Sequence, residues 1–296
     1  MTDAFLRRWP LPRPGEGGDK EARGRVLVVG GGREMPGAVI LAATAALRAG
    51  AGKLQIAVGK SVAPVVAQAV PEALVAGLPE TPSGGLAGRG AARLARLAEG
   101  AGAILLGPGM EEEPGTAALL RALVGAAEKK TVVVLDAGAL APLRGKGARP
   151  LASLEGRAVL TPHAGEMAML LGRQKGAIAR DPGGAARRAA KEFGAVIVMK
   201  GEDTVIAGRR GGLYRNRAGN VGLAISGSGD TLSGIVSGLA ARGAPPDQAA
   251  VWAVALHARA GDRLARTIGP LGFLPRELLA EIPRLMAGLG GRREGK

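Results

Sequence analysis

Short runs of β-branched and other apolar residues alternate with longer segments rich in Ala and Leu from Arg25 onward. Strands and helices that alternate in this way build a mostly parallel sheet covered by helices. The strand runs are apolar throughout, as expected of strands that are buried on both faces. We therefore predict one α/β domain over residues 25–290, with helices on both faces of a central sheet. The predicted parallel strands span residues 26–29, 54–58, 103–106, 131–135, 158–160 and 195–199.

Several of the Ala- and Leu-rich segments have recognisable ends. Gly50 follows one of them at the position where a left-handed cap forms, and Asp181 with Pro182 opens another. Two short runs on either side of Arg209-Arg210-Gly211 indicate a hairpin at one edge of the sheet, with strands at 204–207 and 212–215. The predicted helices span residues 37–49, 89–98, 116–129, 182–193, 230–242, 247–266 and 275–287.

Residues 1–24 are rich in charge, Pro and Gly and lack the periodicity of a helix or a strand. We interpret them as an N-terminal arm, either ordered by docking or loose, and residues 291–296 as a C-terminal tail. The basic start is not followed by the apolar core of a signal peptide. No uncharged stretch approaches the roughly 18 apolar residues of a membrane span. We therefore expect a cytoplasmic protein with no membrane partner.

Composition removes several classes of function. The chain has no cysteine, which excludes a disulfide scaffold, a Cys nucleophile and a thiolate metal site. Its net charge of +15 invites a nucleic-acid partner, but the basic residues are scattered and aromatic residues make up only 2% of the chain, so few rings could stack on bases. We expect no nucleic-acid partner, although a basic surface still suits an anionic small molecule.

The strongest candidate site is Gly227-Ser228-Gly229-Asp230, directly before a predicted helix. Glycines allow backbone amides to converge, and a helix N-terminus favours negative charge, so a phosphoryl group would be stabilised there. Asp230 would repel that group unless it accepts a proton from a hydroxyl that attacks the phosphorus. The alternative is an ordinary first-turn Asp favoured by the helix dipole.

Three further strand ends carry polar or glycine-rich turns. His163 and Glu166 are three residues apart, so they could face one ligand or a hydrated metal, or they could cap a helix. Gly107-Pro108-Gly109 forms a tight turn that would allow close approach to a substrate. Lys200 could neutralise phosphate, or it could be a solvated lysine in a turn.

Two glycine-rich segments fail known phosphate-binding patterns. Gly30-Gly31-Gly32 is followed by Met35 where a dinucleotide fingerprint needs its third glycine, and Leu54 occupies the leading-glycine position of a phosphate loop at Lys60. The triple glycine indicates a close backbone approach, and whether it also lines a ligand pocket stays open. We interpret His257, in the middle of a predicted helix, as structural.

The order of these motifs resembles that of the nucleotide-dependent NAD(P)H-hydrate dehydratases over nearly all of residues 11–288. The resemblance rests on Ala38 in Pro36-Gly37-Ala38, Leu-Arg-Ala-Gly-Ala-Gly at 47–52, Leu-Gly-Pro-Gly at 106–109, Leu-Thr-Pro-His-Ala-Gly-Glu-Met at 160–167, Lys200-Gly201, Gly219-Asn220 and the segment at 227–230. It implies a three-layer ribokinase-like fold and the repair of hydrated NADH and NADPH. Bacterial members usually spend ADP and release AMP and phosphate.

The resemblance also assigns roles to residues. Asp230 would be the catalytic base that deprotonates the ring hydroxyl, and Glu166 would act through Mg²⁺ and water. The nucleotide, ADP or ATP, would contact Lys200, Gly201, Glu202, Asp203, Thr204, Gly227, Ser228 and Gly229. The hydrated cofactor would contact Ala38, Gly107, Gly109, His163 and Asp230.

The sequence departs from the family pattern at two places, which puts substrate contacts or rate in doubt. Ile225-Ser226 stands where the family commonly has Thr-Gly, and Gly138 replaces the second acid of the usual Asp-Ala-Asp-Ala-Leu. Since only about 24 residues precede the first strand, we expect the epimerase that often accompanies this domain to be a separate chain. We also expect a homo-oligomer, with a tetramer as one form.

Two other functions stay open. A ribokinase-like kinase for a vitamin precursor or a sugar would use the same Gly-Ser-Gly-Asp junction. A non-catalytic nucleotide-binding protein would use the basic surface.

Overall fold

The computed structural model describes residues 1–13, 15, 19–147 and 149–289, and its centre is a nine-stranded sheet. In chain order the strands are β1 (Arg25–Val29), β2 (Lys53–Gly59), β3 (Ala73–Leu78), β4 (Ala103–Leu106), β5 (Val132–Leu135), β6 (Ala158–Leu160), β7 (Val196–Met199), β8 (Thr204–Ala207) and β9 (Leu213–Asn216). Their order across the sheet is β3-β2-β1-β4-β5-β6-β7-β8-β9. All pairings between neighbouring strands from β3 to β7 are parallel. The pairings of β7 with β8 and of β8 with β9 are antiparallel. The predicted mostly parallel sheet is confirmed, including the hairpin at its edge.

Helices cover both faces of this sheet. They are α1 (Asp3–Arg8), α2 (Pro36–Arg48), α3 (Ala63–Ala69), α4 (Ala91–Ala98), α5 (Thr116–Ala126), α6 (Ala164–Leu171), α7 (Lys175–Arg180), α8 (Pro182–Phe193), α9 (Ser228–Ala241), α10 (Pro246–Thr267) and α11 (Pro275–Leu289). One hydrophobic cluster contains buried residues of α2, α3, α9, α10 and α11, and the other contains buried residues of α4 to α8. The layers are therefore helix, sheet and helix, as predicted.

The central strands supply side chains to both clusters. In β1, Val26 and Val28 belong to one cluster, whereas Leu27 and Val29 belong to the other, and all four are fully buried. Successive strand side chains point to opposite faces, so a strand between two helical layers must be apolar at every position. This requirement explains the continuous apolar runs in the sequence.

Helices α2 and α9 pack with their backbones unusually close. A Cβ atom added at Gly234 would lie 2.2 Å from the Ala42 carbonyl oxygen, and one added at Gly238 would lie 2.4 Å from the Ala46 carbonyl oxygen. The small residues on both helices therefore set their separation. This contact fixes where the N-terminus of α9 lies.

Five elements are absent from the helices and strands predicted above, namely α1, α3, β3, α6 and α7, although a cap at His163 was one alternative for the start of α6. Strand β3 reads Ala-Leu-Val-Ala-Gly-Leu, and its Ala and Gly residues are poor strand formers. Helix α3 contains adjacent valines, which favour strands. Both elements form because tertiary contacts at the edge of the sheet override local preference.

The N-terminal arm is docked by its first residues. Phe5, Trp9 and Tyr214 pack in edge-to-face and tilted arrangements with ring centroids about 6 Å apart. The Trp252 indole nitrogen donates to the Trp9 carbonyl oxygen at 2.8 Å. Asp3 pairs with an arginine of α10. Since the predicted tail at 291–296 lies outside the described residues, its interpretation stays a prediction.

We predict that Gly234→Ala destabilises the protein by about 1–3 kcal/mol, because the added methyl group would overlap the Ala42 carbonyl and force α2 and α9 apart. The matched control is Gly125→Ala in α5, where a Cβ meets nothing within 4 Å. That change should stabilise the protein by up to about 1 kcal/mol, since Ala is the better helix former. Urea unfolding of both variants tests the prediction, and equal effects at the two positions would contradict it.

Candidate active site

Charged side chains that follow three neighbouring strands meet beyond the carboxyl ends of those strands. Asp136 directly follows β5, Glu166 lies in the helix that follows β6, and Lys200 directly follows β7. The Lys200 Nζ atom lies 2.8 Å from Asp136 Oδ1 and 3.7 Å from Glu166 Oε2. The carboxyl ends of parallel strands all lie on the same side of the sheet, and folds of this kind bind ligands just beyond them.

The pair of Lys200 and Asp136 is largely removed from water. The Asp136 side chain is only 2% exposed, and its Oδ1 atom also accepts a hydrogen bond from the Ala137 amide at 3.0 Å. Burial alone would lower the pKa of Lys200, but the charges of Asp136, Glu166 and Asp230 outweigh burial and raise it. Lys200 is therefore a permanent cation at neutral pH.

Asp230 lies in the first turn of α9 and faces the same cluster. Its pKa is raised to about 6, chiefly by burial and also by the charges of Asp136 and Glu166, while Lys200 and the backbone amide of Asp230 oppose the rise. A carboxylate with this pKa is ionised at neutral pH and takes a proton more readily than an ordinary Asp. This property suits a general base.

The N-terminus of α9 begins from a left-handed residue, Gly227, with φ 91°. The Ser228 amide donates to the Ile225 carbonyl oxygen at 3.2 Å, so the remaining predicted phosphoryl donors at this turn are the amides of Gly227 and Gly229. A Cβ atom at Gly229 would lie 3.5 Å from Lys200 Nζ. The lysine ammonium group and the start of α9 thus face the same small region.

His163 and Glu166 form a capping box at the start of α6. The amides of Gly165 and Glu166 donate to His163 Nδ1 at 3.0 and 3.1 Å, and the His163 amide donates to Glu166 Oε2 at 2.7 Å. The capping alternative is therefore confirmed. The His163 side chain is still 60% exposed, and because Nδ1 accepts, the proton of the neutral ring lies on Nε2. That nitrogen lies 3.7 Å from Glu166 Oε1, so the exposed part of the ring and the Glu166 carboxylate border the same place.

Glycine turns after β1 and β4 form the neighbouring wall. The Gly31 and Gly32 amides donate to the carbonyl oxygens of Pro108 and Gly109 at 2.8 and 3.1 Å. A Cβ atom at Gly109 would lie 3.0 Å from Ala38 Cβ, so two predicted substrate contacts, Ala38 and Gly109, are adjacent. Gly32 and Gly109 also line a cavity of about 40 Å³, which shows that the triple glycine borders a pocket as well as a tight turn.

Gly107, like Gly109, lies so close to a neighbouring segment that a side chain would not fit. Its φ is 135°, and a Cβ atom would lie 1.9 Å from the Asp136 carbonyl oxygen. Gly107 therefore brings the chain after β4 against the residue that pairs with Lys200.

The predicted nucleotide segment forms the turn between β7 and β8. Asp203 forms ion pairs with Arg215 and Arg217 at 3.4 and 3.5 Å, and Thr204 pairs with Asn216 in the sheet. These contacts attach the turn to β9, while Gly201 and Glu202 are exposed. The turn begins at Lys200, and Lys200 lies next to the N-terminus of α9.

Asp136 is a site residue that was not predicted from the sequence. The available signal was an acid directly after a fully apolar strand, which in a buried setting needs a partner. The structure also explains Gly138, since a Cβ atom there would lie 2.4 Å from the Glu111 carbonyl oxygen. An aspartate at that position would require the backbone to move.

A cavity of about 1090 Å³ lies elsewhere, at the edge strand β3. Its lining includes Arg33, Lys60, Arg89 and Arg93 and none of the predicted site residues. This cavity therefore lacks the combination of carboxylates and Lys200 that marks the candidate site.

Known proteins are similar to this chain over nearly its whole length. A family model described as NAD(P)H-hydrate dehydratase matches residues 26–284. An ADP-dependent (S)-NAD(P)H-hydrate dehydratase from Xanthomonas campestris pv. campestris is 49% identical over 287 residues, covering 97% of this chain and 95% of that protein.

Solved structures are similar over the same length. An ADP/ATP-dependent NAD(P)H-hydrate dehydratase from Bacillus subtilis, co-crystallized with ATP/Mg²⁺, has a TM-score of 0.84 and 30% identity and covers 97% of both chains. A ribokinase-like superfamily protein from Enterococcus faecalis has a TM-score of 0.84 and 26% identity, covering 98% of this chain and 95% of that chain. The predicted ribokinase-like fold is confirmed.

We predict that Asp230→Asn stabilises the protein at neutral pH. An acid whose pKa is higher in the folded state loses folding stability as the pH rises from about 4 to about 6, and the loss is complete above that range. Allowing for residual solvent exposure, the gain should be about 1–2 kcal/mol at neutral pH and absent below about pH 4. Urea unfolding at a series of pH values measures it.

The control for this prediction is Glu72→Gln, which changes an exposed carboxylate in the turn before β3. Its effect on the unfolding free energy should be small at every pH. A gain for Asp230→Asn that does not vary with pH would contradict the explanation by ionisation.

Proposed function

This chain belongs to the NAD(P)H-hydrate dehydratase family, and from that premise we propose that it dehydrates the S-epimer of hydrated NADH and NADPH at the expense of ADP. The chain is a hydro-lyase of metabolite repair. The observation that carries the mechanism is the position of Asp230, a carboxylate with raised pKa at a helix N-terminus beside Lys200.

The reaction needs a better leaving group than hydroxide. The ring hydroxyl of the hydrate gives its proton to Asp230, and its oxygen forms a bond to the β-phosphorus of ADP while the bond from that phosphorus to the bridging oxygen breaks, releasing AMP. The new phosphate ester then leaves as phosphate, and the adjacent ring carbon gives its proton to that departing phosphate, which restores the double bond. Asp230 releases its own proton to solvent. The balance is hydrate plus ADP to NAD(P)H, AMP, phosphate and one proton.

Charged and backbone groups would stabilise the phosphoryl group during transfer. Lys200 presents its ammonium group, and the amide of Gly229 lies at the start of α9 beside it. Preorganised donors of this kind are each worth about 3 kcal/mol in comparable anion holes. The turn from Lys200 to Thr204 would hold the nucleotide, while Ala38, Gly107, Gly109 and His163 would hold the hydrated ring.

We assign Glu166 to the water-mediated binding of Mg²⁺. Among the residues that the structure describes, no group of three or more His, Cys, Asp or Glu side chains could hold a metal ion directly. Mg²⁺ usually keeps several waters and uses one or two carboxylates with substrate phosphates, which fits a single nearby Glu. Around Lys200 three carboxylates face one ammonium group, so a bound cation would supply the charge neutralisation that phosphates need.

The wider setting of the reaction remains a set of proposals. ADP is the expected phosphoryl donor and ATP the alternative. A separate epimerase chain, a homo-oligomer and a cytoplasmic location are expectations from the sequence. Within the described part of the chain, every helix is too short or too polar to cross a membrane.

The direct test mixes hydrated NADH with ADP and Mg²⁺ and follows the return of NADH absorbance. We expect restored NADH with one AMP and one phosphate per turnover, and Asp230→Asn should lower kcat by about 10²–10⁴-fold because the base is lost. Accumulation of a stable phosphorylated product would favour a kinase instead. Nucleotide binding without turnover would favour a non-catalytic binding protein.

The pH profile tests the role of Asp230 separately. Since the free enzyme needs the ionised carboxylate, kcat/KM should be level above about pH 6 and fall about tenfold for each lower pH unit. Initial rates with limiting hydrate at a series of pH values measure this. An unchanged rate down to about pH 4 would show that a different group accepts the proton.

A further inference from the structure

His257 is a buried histidine that contacts the candidate active site from behind. It lies in α10, and its Nε2 atom is 3.0 Å from the hydroxyl oxygen of Ser228. Ser228 is the first residue of α9, and its neighbours are the predicted phosphoryl donor Gly229 and, one residue further, Asp230. The imidazole therefore touches the residue that begins the reactive turn.

The imidazole of His257 is neutral under physiological conditions. Its pKa is lowered to about 4, chiefly by burial and also by the charge of Lys200, while a hydrogen bond with the Ser228 backbone acts in the opposite direction. A neutral ring has one donor and one acceptor nitrogen. Its hydrogen bonds consequently hold a fixed geometry across the pH range in which Asp230 is ionised.

The Ser228 hydroxyl differs from the other buried serine hydroxyls of α9. The hydroxyls of Ser233 and Ser237 donate to carbonyl oxygens of their own helix, at Asp230 and Ser233. The Ser228 hydroxyl instead bonds to a side chain on another helix. Such a bond has no part in forming α9, but it does fix the helix start relative to α10.

The backbone at the start of α9 is closely surrounded, and its orientation depends on contacts with other elements. Gly227 is left-handed, and a Cβ atom at that residue would lie 2.6 Å from Leu41 Cδ1. First-turn amides have no acceptor within the helix. Their direction is therefore set by what holds the turn, and small displacements of reacting groups are costly in rate.

We propose that His257 is a positioning residue for phosphoryl transfer, which acts through the Ser228 hydroxyl to orient the Gly229 amide and the Asp230 carboxylate. This inference rests on the proposed function of the same site. It goes beyond a packing role because it ties the imidazole to the rate of the chemical step. It also assigns the Ser228 side chain a purpose that differs from that of its amide.

The test compares four single variants and one double variant of the full chain with hydrated NADH, ADP and Mg²⁺. Ser228→Ala and His257→Leu each remove the side-chain hydrogen bond between Ser228 Oγ and His257 Nε2, and His257→Gln offers a nitrogen or oxygen near the position of Nε2. Ser237→Ala is the matched control, since it removes a buried hydroxyl from the same helix. We expect kcat to fall about 10- to 100-fold for Ser228→Ala and His257→Leu, with the KM for ADP changed by less than about threefold.

The remaining variants separate positioning from general support of the fold. His257→Gln should recover most of the lost kcat, and Ser237→Ala should keep the wild-type kcat although it also loses a buried hydrogen bond. The double variant of Ser228→Ala with His257→Leu should be no slower than the slower single variant, because both changes break one link. If His257→Leu fails to fold, the kcat of Ser228→Ala alone tests the positioning role.

Nuclear magnetic resonance gives a readout that does not depend on turnover. The chain has two histidines, so the imidazole nitrogen signals can be assigned with His257→Gln. We expect His257 to be neutral and in one tautomer at neutral pH, and its signals should move in Ser228→Ala. Identical His257 signals in Ser228→Ala and the wild type would overturn the proposed link.

The kinetic results also distinguish failure of the proposed function from failure of the positioning role of His257. If the wild type restores no NADH, the proposed function fails. If the wild type is active and Ser228→Ala keeps its kcat within about twofold, the function stands and the positioning role is refuted. Multiplicative losses in the double variant would refute it as well.

Discussion

The buried ion pair between Lys200 and Asp136 is the interaction on which the rest of the site depends. It joins the carboxyl ends of β5 and β7, and it places a permanent cation beside Glu166 and Asp230. Removing one partner of such a pair leaves a buried charge alone and typically costs about 3–5 kcal/mol. The pair thus serves the fold and the chemistry together. Burial is the main cause of the raised pKa of Asp230, and the charges of Asp136 and Glu166 add to it.

A second constraint is the close contact of α2 with α9. Glycines on α9 allow its backbone to approach the carbonyl groups of α2, and this approach places the first turn of α9 against Lys200. His257 then holds the same turn from α10. The candidate base therefore sits on a helix that is fixed along its length by packing and at its start by a hydrogen bond, which is how a site on a rigid element keeps its geometry.

Much of the fold follows from local pattern, and the gaps have physical causes. The apolar runs of the central strands must be buried on two faces, so β1, β4 and β7 could be predicted closely. Strand β3 was missed because Ala and Gly carry little strand preference, and α3 was missed because its valines suggest a strand. In the site, the cap formed by His163 and Glu166 was one of two interpretations of the spacing, and only the structure chose between them.

The sequence by itself determined the alternation of buried strands and helices around a mostly parallel sheet, the exclusion of cysteine chemistry and the glycine-rich junction that ends in Asp230. It also carried the family resemblance, because the motifs keep their order along the chain. The tertiary structure alone decided that Asp136 pairs with Lys200, that Gly138 has no room for a side chain, and that His257 contacts Ser228. These contacts join residues that are distant in sequence, and neither composition nor periodicity records which side chains the folded sheet and helices bring within hydrogen-bond distance.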